Sequence, residues 1–101
     1  MIVRLSRGRY PPSKHHEIVQ RLRDSALSLL LAIRSLPGCL SYYAAADEES
    51  GTLINVSVWD TFAHAQAMAA LAPMLALAAE FAALGVDFER PIINYETLWS
   101  L

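Results

Sequence analysis

The chain has 101 residues, 54% apolar and 18% charged, with a net charge of −2. That length supplies one domain with a single core, residues 1–101, and no room for a second. The acidic balance speaks against a nucleic-acid footprint, and no apolar run reaches the roughly 20 residues of a membrane span. Apolar content above the usual level of about 45–50% instead asks for a buried subunit interface, an apolar ligand cavity, or both.

Residues 2–9 alternate weakly and read as a first strand, stopped by Tyr10-Pro11-Pro12. Arg4, Arg7 and Arg9 lie close together there and read as a solvated edge or a dimer salt bridge. Ser13 then stands where a helix N-cap would, with Glu17 in the first turn favouring the helix dipole. From there Ile18, Leu22, Ala26, Leu29, Ile33 and Leu36 recur at three- and four-residue steps, the mark of an amphipathic helix. Pro37-Gly38 closes it, since glycine accepts the left-handed turn and proline cannot continue the ladder. His15 and His16 are adjacent and point to different sides of a helix, so no metal set is expected from them.

Residues 39–47 form a second strand weakened by three alanines, and a polar turn at 47–51 leads directly into a third, 53–59. Strand parity puts Leu53, Asn55, Ser57 and Trp59 on one face, with Ile54, Val56 and Val58 on the other. One face is oily and the other carries an amide and an indole, so helices should cover one side and a partner subunit the other. Asp60 or Thr61 can cap a second, alanine-rich helix that starts at Phe62, re-orients near Pro73 and ends at Leu84, with Gly85 as a stop. Residues 86–91 read as a connection and residues 92–101 as the last strand. The order is β-α-β-β-α-β, an α+β ferredoxin-like fold with both helices on one face of a four-stranded antiparallel sheet. Cys39 is the one cysteine and can form no internal disulfide; with charge interrupting the N-terminal residues at once, a cytoplasmic location is expected.

Pro37-Gly38-Cys39 leading into a strand, Asn55 followed by Trp59, and a helix opening Asp60-Thr-Phe-Ala-His-Ala together resemble the antibiotic biosynthesis monooxygenase family. The resemblance runs over essentially the whole chain and implies a dimeric α+β barrel, a homodimer whose two sheets face one another. It also implies a pocket in each subunit between sheet and helices. Members of that superfamily include cofactor-independent oxygenases of phenols and quinols, haem-degrading enzymes and isomerases. In the oxygenases an Asn and a Trp spaced like Asn55 and Trp59 line the pocket, and some add a tyrosine six residues after the Trp and an arginine on the second helix. Here the tyrosine position is Ala65 and the arginine region holds alanine and leucine. The haem degraders place a histidine ten residues after the Trp, where this chain has Ala69. His64 lies about 140° around a helix from that position, so no haem or other cofactor is expected.

These readings nominate Asn55, Trp59 and His64 as catalytic candidates, and Met68 and Phe81, beside Met74 and Leu75, as the apolar lining of a substrate pocket. Asn55 would donate to a carbonyl or a developing oxyanion, Trp59 would stack on a flat ring, and His64 would act as base if it reached the same cavity. Each has a plain structural alternative: a hydrogen bond to Ser57 or Tyr42, a packed strand-end aromatic, a helix-cap histidine and a helix core. Two functions therefore stand: a cofactor-independent monooxygenase for a small phenol- or quinol-like aromatic, or a non-catalytic ligand-binding or dimerisation module. The partners expected are a small apolar or aromatic molecule and a second copy of the chain, with neither nucleic acid nor membrane.

Overall fold

Antiparallel pairing along the full length of two strands, β1 (Ile2–Arg9) and β3 (Thr52–Trp59), sets the frame of the molecule. The computed structural model describes all residues, 1–101. β2 (Cys39–Asp47) pairs with β3 on its other side through the turn at 48–51. Two short strands share the free side of β1: β4 (Asp87–Phe88) pairs at Gly8 and Arg9, and β5 (Ile93–Glu96) pairs at Ile2 to Leu5. The sheet order is therefore β2-β3-β1-β4, with β5 also beside β1. Three helices, α1 (His15–Arg34), α2 (Phe62–Ala67) and α3 (Ala72–Ala83), complete the ferredoxin-like α+β arrangement.

The core sits between sheet and helices. Ile18, Leu29 and Ile33 of α1 meet Leu53 and Trp59 of β3 and Leu77 and Phe81 of α3, all buried. The register assigns every strand residue to a face. Because Ile2 stands opposite Trp59, residues Ile2, Arg4 and Ser6 share the helix side with Leu53, Asn55, Ser57 and Trp59. Val3, Leu5, Ile54, Val56 and Val58 share the other side, joined by Tyr43, Ile93 and Tyr95 from the flanking strands. No element of the monomer covers that second side, and Tyr43, Ile93 and Tyr95 are exposed. An apolar sheet face of this extent is unusual for an isolated soluble monomer.

Three local expectations are corrected. Ser13 is not the cap of the first helix: it lies inside a 3-10 turn (Pro12–Lys14) that feeds α1, and neither start has a side-chain cap bond. Pro12, with its fixed φ and no N–H to satisfy, opens the turn in place of a cap. Residues 86–91 are more than a connection, because Asp87 and Phe88 pair with β1 and make a fifth strand. The last strand stops at Glu96, and beyond it Leu98, Trp99 and Leu101 project from the fold, each more than four-fifths exposed. The second helix re-orients near Pro73 as expected: a 3-10 turn (Met68–Ala70) and an extended Leu71 bend the axis by 57°. A proline lacks the amide donor and crowds the carbonyl four residues earlier, so the disruption falls on the preceding turn. No single helix is long and apolar enough to cross a membrane.

The turn before β2 is held from the far end of β3. Gly38 adopts φ 85°, its carbonyl accepts the Asp60 N–H at 3.0 Å, and a Cβ there would strike the Asp60 carboxylate and the His64 ring. A Gly38→Ala variant therefore suffers both left-handed backbone strain and a clash. It should lose about 2 kcal/mol of stability and about 8 °C or more in Tm, read by thermal unfolding followed by circular dichroism.

Candidate functional site

Neighbouring strands place their helix-facing side chains in rows, and one such row is polar across the whole sheet. Tyr42 of β2 stands beside Ser57 of β3, Ser57 opposite Arg4 of β1, and Arg4 opposite Asn94 of β5. The adjacent row carries Asn55 opposite Ser6. These six residues floor a cavity of about 590 Å³ whose other walls come from the broken helix and from Phe88, Arg90, Pro91 and Ile92. Met68 and Ala69 contribute from the 3-10 turn, and Met74, Leu77 and Phe81 from α3. A continuous second helix would close over the sheet; the bend at Leu71 lets its two halves stand apart above the floor. The volume lies in the range of small-molecule sites, with an apolar roof and a few convergent polar groups.

Hydrogen bonds fix the floor. The Tyr42 hydroxyl donates to Asn55 Oδ1 at 2.6 Å, which pins the amide and leaves its NH2 group without a protein acceptor. Burial pushes the Tyr42 phenol up to about 12, so it stays protonated and keeps donating at neutral pH. The buried Trp59 indole donates Nε1–H to Ser57 Oγ at 2.8 Å. Arg4 Nη1 donates to Asn94 Oδ1 at 3.0 Å. Desolvation, and secondarily the like charge of Arg90, pull the Arg4 guanidinium below the ordinary arginine range.

Asn55, Met68 and Phe81 all come to the cavity wall. Trp59 does not: it is fully buried behind the floor, where the end of β3 meets the helices, and its contact with the cavity is indirect, through Ser57. His64 is also elsewhere. Its backbone N–H is capped by Thr61 Oγ1 and its Nδ1 lies 2.7 Å from Asp60 Oδ1, on the outside of the α2 N-terminus above Gly38. The hydrogen bond from His64 holds the Asp60 carboxyl below the usual carboxylate range. This pair braces the turn.

Arg4 and Asn94 escape a reading by motif, whereas Tyr42 is the hydrogen-bond partner that the sequence offers Asn55 as a structural alternative. Arg4 is corrected from a solvated-edge residue to a buried one, 9% exposed, while its neighbour Arg7 does pair at the surface with Glu89 at 3.6 Å. The usable signal was parity. Arg4 and Ser6 alternate with Val3 and Leu5 as Asn55 and Ser57 alternate with Ile54, Val56 and Val58, so pairing β1 with β3 joins the two polar stripes. No group of three or more His, Cys, Asp or Glu side chains is placed to hold a metal ion. Cys39 is half-buried, burial pushes its thiol up, and its S–H donates to the Ser41 carbonyl at 3.6 Å.

No protein-family model and no curated protein sequence matches the chain. Solved structures do. A candidate antibiotic biosynthesis monooxygenase from Deinococcus radiodurans superposes with a TM-score of 0.74 at 21% identity, over 100% of this chain and 96% of its own. The SnoaB cofactor-independent oxygenase from Streptomyces nogalater, an asparagine-to-alanine variant, does so at 0.68 and 14%, covering 99% and 95%. Rv0793 from Mycobacterium tuberculosis gives 0.69 and 15%, covering 98% and 96%. The chain has the fold of the antibiotic biosynthesis monooxygenases. Within that monooxygenase fold, Ala65 is buried and Ala69 lines the cavity, so neither position carries a proton-transferring side chain here.

The raised Tyr42 phenol gives a measurable consequence. A group whose folded pKa exceeds its ordinary value of 10.0 contributes stability in full below pH 10 and loses it as pH rises toward about 12. In a spectrophotometric titration of the four tyrosines, the step nearest pH 12 should vanish in Tyr42→Phe. The loss of stability of the native protein between pH 10 and 12 should be reduced in the same variant.

Proposed function

We propose that this protein is a cofactor-independent monooxygenase acting on a small phenol- or quinol-like aromatic in the cytoplasm. The observation that carries the reading is the cavity itself, where the Tyr42–Asn55 pair faces an apolar roof of Met68, Met74, Leu77 and Phe81. The fold shared with SnoaB, a cofactor-independent oxygenase, supports the same class. In this chemistry the ionised aromatic is its own reductant. It passes one electron to dioxygen, the resulting radical pair joins as a C–O bond, and O–O cleavage leaves a carbonyl on the ring. The second oxygen departs as water with the two hydrogens the substrate has lost.

The protein's part is orientation and charge. Asn55, held by Tyr42, offers its NH2 to the oxygen of the substrate anion, and the methionines and Phe81 keep water from the ring. Tyr42, held neutral, does not serve as a base at pH 7, and the other ionisable wall groups are arginines. The substrate therefore enters as its anion or loses its proton to water, and the rate should climb with pH along the substrate's own ionisation. Oxygen uptake with hydroquinones and naphthols is the test. Asn55→Ala should lower it at least about tenfold and Tyr42→Phe by less, whereas His64→Ala should leave it near wild type. Equal rates in wild type and Asn55→Ala would remove the oxygenase reading.

The second reading, a non-catalytic ligand-binding module, gains from the position of Trp59 behind the floor and of His64 outside the cavity. Ligand binding without oxygen uptake would select it. In both readings the functional unit is a homodimer, because the sheet face of Val3, Leu5, Ile54, Val56 and Val58 needs a cover and a second copy presents the same self-complementary face. Val56→Asp on that face should shift sedimentation from dimer to monomer, or prevent folding altogether if the face is needed for stability; a wild-type monomer at micromolar concentration would refute the pairing.

A further inference from the structure

Arginine in the wall of an apolar cavity normally meets a carboxylate, since a desolvated guanidinium without a counter-charge is costly. Here two arginines, Arg4 and Arg90, line the cavity and no Asp or Glu does. Neither takes part in an ion pair of the chain. Arg4 is buried, and its one side-chain partner is the neutral Asn94 amide, so most of its five donors have no protein acceptor. Arg90 lies with Cζ 5.0 Å from the Phe88 ring centroid and donates to the Glu89 carbonyl. Phe88 owes its place to Gly8: a Cβ on Gly8 would come within 2.9 Å of the ring. The like charges repel, which is one cause of the lowered Arg4 pKa, and an anion between them would relieve that repulsion.

We propose that the cavity recognises an aromatic carboxylate, with Arg4 and Arg90 taking the carboxylate group at the β1–β5 end and Tyr42 and Asn55 facing the polar substituent at the other end. The guanidinium fork matches two coplanar oxygens, which a single phenolate oxygen does not offer. Tyr42 and Arg4 stand two strands apart in one row, about 10 Å. That spacing suits two fused rings with a substituent at each end, and the volume of about 590 Å³ accommodates them. The carboxylate end is not the apolar sheet face, so covering that face with a second copy leaves this site as it is.

The assignment uses the same cavity as the oxygenase reading and adds the chemical class of its ligand, but its test is binding alone. Titration calorimetry under nitrogen at pH 7 compares 2-naphthoate with naphthalene-2-carboxamide, a neutral molecule of nearly the same shape. Wild-type protein should bind the naphthoate about tenfold more tightly or better. Arg4→Gln should abolish that preference while leaving carboxamide binding in place, and the exposed Arg90→Gln should reduce the preference about threefold. If Arg4→Gln fails to fold by circular dichroism, Arg90→Gln decides by itself. Equal binding of the two probes by wild type, no binding of the naphthoate, or a preference undiminished in the folded variants would overturn the assignment. Absent oxygen uptake with an intact naphthoate preference would sink the oxygenase reading alone. Uptake on neutral quinols without that preference would sink this one alone.

Discussion

The register between β1 and β3 is the constraint on which the rest of the structure depends. A strand presents alternate residues to opposite faces, so a shift of one position would exchange the two stripes of both strands. With Ile2 opposite Trp59, the polar members of each stripe, Arg4 and Ser6 on one strand and Asn55 and Ser57 on the other, fall together beneath the helices. The branched apolar members fall together on the opposite side. One pairing thus produces both the floor of a cavity and an apolar face. The polar floor is costly to bury, and hydrogen bonds offset part of that cost: Tyr42 donates to the Asn55 oxygen, Trp59 donates to Ser57, and Asn94 takes one donor of Arg4.

The helices act on this floor by what they fail to cover. A single helix from Phe62 to Leu84 would pack its apolar stripe against the sheet and leave no space. The 3-10 turn at Met68–Ala70 and the extended Leu71 separate two short helices, and Met68, Met74 and Phe81 then look into the gap between them. Pro73 is the local cause, and the small alanines around it leave room. The bracing at the other end of α2 is equally specific: Thr61, Asp60 and His64 lock the helix start onto Gly38, so the strand that carries Asn55 is fixed relative to the roof.

Much of this was legible in the chain. The bounds of β1 and β2, the cap at Thr61 and the stop at Gly85 follow from local chemistry that acts over a few residues, and they are where the residues put them. The site was legible in part. Asn55, Met68 and Phe81 line the cavity, in keeping with parity and helix spacing, which report the face a side chain occupies. Trp59 and His64 were placed by spacing along the chain, which does not say how deep a side chain lies; Trp59 went behind the floor and His64 to the outer surface. Arg4 differs from its sequence reading for a related reason. Three arginines at alternate or near-alternate positions read as one exposed cluster, whereas strand parity sends Arg4 inward and Arg7 outward.

By itself the sequence determined the order of the main elements and the two-sided character of the sheet, because these depend on periodicity and on turn residues that act locally. Tertiary structure alone decided that Tyr42, Ser57, Arg4 and Asn94 form one row, since they come from four strands and only cross-strand register can align them. It also decided that Arg4 and Arg90, 86 positions apart in the chain (90 − 4), share one cavity without a carboxylate. Charge counted along a chain carries no information about which charges the fold leaves without a partner.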